Sequence, residues 1–178
     1  MAMTLITTNT ESGDATSSFT SSIDSTYKLY IFKFLDLGPA TNSVEFQFNG
    51  SIDGGSNYNV TKTTTYFAAH HQEDDGDAGL NYRTGDDLAQ STAFQILTTA
   101  IGSGSDESAA GVLHLFSPSS TTYLKHFWSR FSTYRSTDEL WDTFIAGYFE
   151  DADDNIDAIQ FKMGSGNFDG VIQMYGIA

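Results

Sequence analysis

Cysteine is absent from this 178-residue chain. That excludes disulfide bonds, zinc–thiolate sites and thiol chemistry, and it leaves the redox compartment open. Positive charge is scarce: 8 Lys and Arg stand against 23 Asp and Glu, a formal net charge of −15. Such a surface repels phosphate backbones and anionic lipid, so neither nucleic acid nor a membrane is an expected partner. Two readings of the acidity stay open. One is solubility; the other is adaptation to salty surroundings, where dissolved ions screen self-repulsion. No apolar run approaches ~18 residues, which excludes a membrane-spanning helix. The opening Met1–Ile6 has no basic region ahead of an apolar segment, so no signal peptide is expected. Helix-periodic segments of convincing length are missing, and so is any internal repeat of roughly 20–50 residues. Catalytic signatures are missing too: there is no G-x-S-x-G elbow and no H-E-x-x-H pair. The expectation is a protein that is not an enzyme and needs no cofactor.

Aromatic side chains are what the chain has in quantity, 14 Phe and 9 Tyr among them, and these favour β structure. One domain over residues 1–178 is the default for this length. Residues 8–26 are rich in Ser and Thr and read as an extended arm or edge element (about 1–26). Tyr27–Leu35 is the strongest strand, with Tyr30, Phe32 and Phe34 on one face and Leu29 and Ile31 on the other. That suits a central strand covered on both sides. Ser43–Asn49 alternates cleanly, Tyr58–Ala69 is a long Thr-rich strand, and Asn49-Gly50 and Asp53-Gly54-Gly55 are turn signals. Further strands are expected over Phe94–Thr99, Gly111–Phe116, Thr121–Tyr134 and Phe144–Phe149, with a short one possible at Asn81–Arg83. Ile156–Met163 and Val171–Ile177 alternate around the loop Gly164–Gly170 and read as a β-hairpin. The result is an all-β, antiparallel protein of about eight to ten strands, a β-sandwich or a barrel. Tyr30, Phe32, Phe34, Phe46, Phe48, Phe127, Phe161 and Ile172 are expected in or beside its core.

Three constellations could carry chemistry. Asp151, Asp153, Asn155 and Asp157 fall at alternating positions of a calcium-loop-like pattern. Ile156 stands where the sharp-turn Gly belongs and Lys162 where the bidentate Glu belongs, so these four are weak metal candidates beside the reading of a solvated acidic tip. His70 and His71 precede Glu73, Asp74 and Asp75, but neighbours on a strand point to opposite faces and do not easily share one ion. Trp128 and Arg130 share one parity of a strand. An exposed pair of this kind can stack on and hydrogen-bond a glycan, and equally suits a subunit interface.

Several segments together resemble small virion proteins of tailed bacteriophages, notably marine ones. They are Ile23-Asp24-Ser25-Thr26-Tyr27 leading into a Tyr/Phe strand, Ser51-Ile52-Asp53-Gly54-Gly55-Ser56, the stretch Pro118–Phe127, and Ser165-Gly166-Asn167-Phe168-Asp169-Gly170 before a closing apolar strand and Tyr175-Gly176. The resemblance implies a jelly-roll-like sandwich, no catalysis, and a place on the virion surface as a capsid decoration or a fibre component. It also implies contacts with other virion structural proteins and self-association as a homotrimer. The alternative is a glycan-binding module of a tail fibre that recognises a host surface.

Overall fold

The structure, a computed structural model, describes residues 2–150 and 153–178. The period-2 segments form twelve strands: β1 (Met3–Asp14), β2 (Thr16–Phe19), β3 (Leu29–Pro39), β4 (Val44–Ser51), β5 (Lys62–Gln72), β6 (Ala78–Tyr82), β7 (Gln95–Ile101), β8 (Ala109–Phe116), β9 (Lys125–Arg135), β10 (Glu139–Phe149), β11 (Ala158–Met163) and β12 (Phe168–Ile177). Every pairing among them is antiparallel. No helix occurs among the described residues. Alternation decides each strand's faces. Along β9, Lys125, Phe127, Ser129, Phe131 and Thr133 are buried while His126, Trp128, Arg130 and Ser132 are exposed, as the pleat requires.

The twelve strands form one hydrogen-bonded sheet that curls into a near-closed barrel. One run of neighbours is β1-β12-β3-β8-β9-β10-β5-β6, and the other is β7-β4-β11-β2. The runs join between β7 and β9 through a single residue pair, Ile101 with Arg135. On the opposite side the chain itself passes from β1 into β2. There Asn9 Nδ2 donates to Ser17 Oγ at 3.0 Å and to the Ser18 carbonyl at 3.3 Å.

Two expectations need correction. The segment 156–177 is not a hairpin. β11 pairs with β4 and β2, whereas β12 pairs with β1 and β3. Its loop crosses the barrel and is held at both ends: Gly164 N donates to the Glu45 carbonyl, and the Asn167 carbonyl accepts from Ala40 N. The two strands therefore face each other through the core and do not pair side by side. The outer face of β3 is covered only in part: Ile31 is buried and Leu29 half-buried, as expected of a strand covered on both sides, but Leu35 is exposed to solvent. The Ser/Thr-rich stretch, in turn, is built into the sheet as β1 and β2, with β1 an edge strand on β12.

The core is a raft of phenylalanines. Phe161 lies within 5.0–6.2 Å of the rings of Phe19, Phe32, Phe34, Phe46 and Phe48, so it links strands of both runs. All eight residues expected in the core are buried. Gly170 forms the bulge between β12 and β3. Its φ of +146° and the Leu35 and Asp36 carbonyls, 3.2 Å from where a Cβ would stand, leave no room for a side chain.

Candidate functional site

The inward parity of β8, β9, β10 and β5 fills the barrel, so the outward parity forms a second face, and that face is aromatic. Sheet register arranges it in rows. His114, Trp128, Ala146 and Thr65 lie side by side across β8, β9, β10 and β5. Beside them His126, Tyr148 and Thr63 form one row. On the other side Val112, Arg130, Phe144, Phe67 and Tyr82 form another. Outward large apolar groups on one sheet face are unusual for a surface exposed to water and mark a contact or ligand site.

Within these rows the side chains are fixed against one another. The Trp128 indole stacks on the His114 imidazole with centroids 4.0 Å apart and planes within 18°. Partial burial lowers the His114 pKa below its ordinary range and favours the neutral ring. Phe144 and Phe67 stack at 5.0 Å and 5°. Tyr148 meets His126 edge-on at 5.9 Å. Ala146 and Thr65 are the small members between these rings. Over them opens a shallow depression of about 410 Å³ lined by Thr63, Thr65, Phe116, His126, Trp128 and Tyr148. Gly147 lets the sheet lie close to the core beneath it. A Cβ there would stand 2.6 Å from the Thr64 methyl, 2.7 Å from the Thr63 carbonyl and 2.8 Å from the Phe127 ring.

Trp128 and Arg130 both sit on this outer face, and Trp128 keeps 39% of its surface exposed. Arg130 is engaged. Its Nε and Nη2 donate to the two Asp142 oxygens at 2.9 and 2.7 Å, and its guanidinium lies 4.8 Å over the Phe144 ring. The outward side chains with polar atoms that share the depression with Trp128 are His126, Tyr148, Thr63 and Thr65. His126 has the parity of Trp128 and was legible on that ground. Tyr148 lies on β10, which a short turn joins to β9, while Thr63 and Thr65 come from β5, whose pairing with β10 no local pattern announces. Trp141, the second tryptophan, is buried, with its Nε1 donating to Glu139 at 2.7 Å and the Arg135 guanidinium 4.2 Å from its ring.

Of the weak metal candidates, Asp151 lies outside the described residues. Asp153 and Asn155 are exposed, and Asp157 accepts from Gly54 N at 3.0 and 3.1 Å, tying the acidic segment to the 53–55 turn. His70 and His71 diverge: His70 contacts Asp77 and stacks on Trp141, while His71 contacts Asp75. Among the described residues no three His, Cys, Asp or Glu side chains are grouped to hold an ion.

Two lysines occupy positions that residue type alone would assign to the surface. Lys62 and Lys125 flank Phe149 on its two neighbouring strands and are fully buried. Lys62 Nζ donates to the Ala93 carbonyl at 2.6 Å, and burial pushes its pKa down to about 7.

Comparison of the chain with protein-family models, with curated proteins and with solved structures finds no match.

Proposed function

We propose that this chain is a non-enzymatic structural protein of a phage virion, displayed on the particle surface as a capsid decoration or fibre component, and that its barrel is a flattened jelly roll. The observation that carries the reading is the strand order. With β5–β6 and β9–β10 set aside as insertions, the other eight strands fall into the groups β1-β12-β3-β8 and β2-β11-β4-β7. That order matches two interlocked Greek keys, the jelly-roll arrangement used by viral capsid and lectin domains. The inserted strands widen the first group and create the aromatic outer face. The four landmark segments of the virion resemblance fit the same frame. Ile23–Tyr27 leads into β3, Ser51–Ser56 follows β4, Pro118–Phe127 enters β9, and Ser165–Gly170 enters β12.

The β1 edge supports self-association. β1 runs for twelve residues at the end of its run, with no Lys, Arg or Pro between Met3 and Asp14. Such an edge invites strand pairing unless a neighbour covers it. A homotrimer that packs the β1 edges together covers them. Sedimentation of the purified chain, with mass spectrometry of purified particles, tests this reading. A species near three times 19.4 kDa, together with the chain recovered from particles, is the expected result. A monomer that is also missing from particles refutes it.

A further inference from the structure

We propose that the depression over Ala146, walled by Trp128 and Tyr148, is a binding site for a neutral pyranose sugar. A pyranose is amphipathic: its axial C–H groups form an apolar patch, and its hydroxyls ring the edge. The depression has the complementary layout. Trp128 supplies a flat ring held in place by its stack on His114. Ala146 and Thr65 form a floor low enough for a ligand to lie against that ring. Among the lining residues His126 and Tyr148 carry the polar groups left for a ligand, because the Thr63 hydroxyl is engaged by Glu150 Oε1 at 2.7 Å and Gln90 N at 3.1 Å, and the Thr65 hydroxyl donates to the Ala146 carbonyl at 3.4 Å. The volume of about 410 Å³ lies within the range of small-ligand sites and suits one or two sugar rings.

Charge selects the ligand class. The chain carries 23 carboxylates, yet none lines the depression, and neither does any Lys or Arg. The Arg130 guanidinium, one row away on β9, is held by Asp142. An anionic ligand would find no cation among the lining residues, and the carboxylate beside the depression, Glu150, is already engaged by the Thr63 hydroxyl at 2.7 Å. A neutral ligand rich in hydroxyls meets neither cost. This site does not depend on the particle assignment: sugar binding can fail while the chain is found on a virion, and the reverse.

Saturation-transfer NMR with the methyl pyranosides of glucose, galactose, mannose and N-acetylglucosamine tests the proposal. Binding in the millimolar range is expected, with transfer strongest to the C–H protons of one ring face. Ala146→Phe fills the depression from an exposed position. It should abolish transfer while leaving the melting temperature and circular dichroism unchanged. Trp128→Ala should weaken binding about tenfold, the loss of one aromatic contact. The proposal is overturned by no transfer from any of the four sugars, or by full transfer in Ala146→Phe. It is also overturned if Ala146→Phe dissociates an oligomer, because the face would then be a subunit interface.

Discussion

Replacing Lys62 with Met removes a buried ammonium while keeping the length of its side chain. Lys62 is fully buried, its ammonium donates to the Ala93 carbonyl, and that nitrogen lies 5.9 Å from the Phe149 ring centroid. Burial brings its pKa from 10.5 to about 7. Between those values the unfolded chain binds a proton that the folded chain does not. Stability therefore rises with pH across this window, by about 1.4 kcal/mol per pH unit and at most about 5 kcal/mol in all. The contribution is fully present above pH 10.5 and is lost as pH falls to about 7. At pH 6 the wild-type protein must bury the charge. Lys62→Met avoids that cost but forfeits a charge-assisted hydrogen bond worth about 1.5–3 kcal/mol. The variant should be more stable than wild type by about 2–3 kcal/mol at pH 6. At pH 9 the wild type has regained nearly 3 kcal/mol, so the two should agree within about 1 kcal/mol. Urea denaturation of both proteins at the two pH values gives the comparison, with equal m-values as the check on two-state behaviour. A stability difference that does not change between pH 6 and pH 9 would refute the reasoning. So would a variant less stable than wild type at pH 6, since it would mean the folded state favours the charged lysine.

Phe161→Ala removes the ring that touches five others. It should cost about 4–5 kcal/mol and lower the melting temperature by about 10–20 °C for a chain of this size, read by calorimetry. Gly147→Ala drives a methyl into the Thr63 carbonyl and the Phe127 ring and should cost about 1–3 kcal/mol. Ala146→Ser, one residue away on the open face, should change stability by less than about 0.5 kcal/mol, and urea titration compares the two. EDTA should leave the melting temperature unchanged. The 151–157 segment lacks the Gly and bidentate acid of a strong calcium loop, so a fall of tens of degrees would show that its carboxylates hold a structural ion.

The inward residues were legible because period-2 alternation depends only on which face meets the core. Tyr30, Phe32 and Phe34 on β3, and Phe46 and Phe48 on β4, alternate strongly and are buried. Partners were not legible. Two alternating segments around a Gly-rich loop look the same whether they pair or cross the barrel, and 156–177 crosses. β1, expected only as part of an extended arm or edge element, could not be recognised as a twelve-residue strand for a different reason. Both of its faces are largely exposed, so its sequence shows no apolar period. Lys62 and Lys125 were hidden by residue type, although Lys125 shares the parity of Phe127 and Phe131. At the site, Trp128 could be singled out from its own strand. Its companion Tyr148, and Asp142 that holds Arg130, lie on β10, which a short turn folds back onto β9, whereas Thr65 comes from β5, which only long-range register brings alongside.

The most direct test of the proposed virion role is a reconstruction of purified phage particles from which the chain has been recovered. The account predicts twelve-stranded barrels on the outside of the particle, grouped about three-fold axes. The β1 edges should meet at the contacts between copies, and the Trp128–Tyr148 face should be turned to solvent. Particles that lack the barrel, or barrels whose Trp128–Tyr148 face is sealed against a neighbouring subunit while β1 stays open, would contradict it.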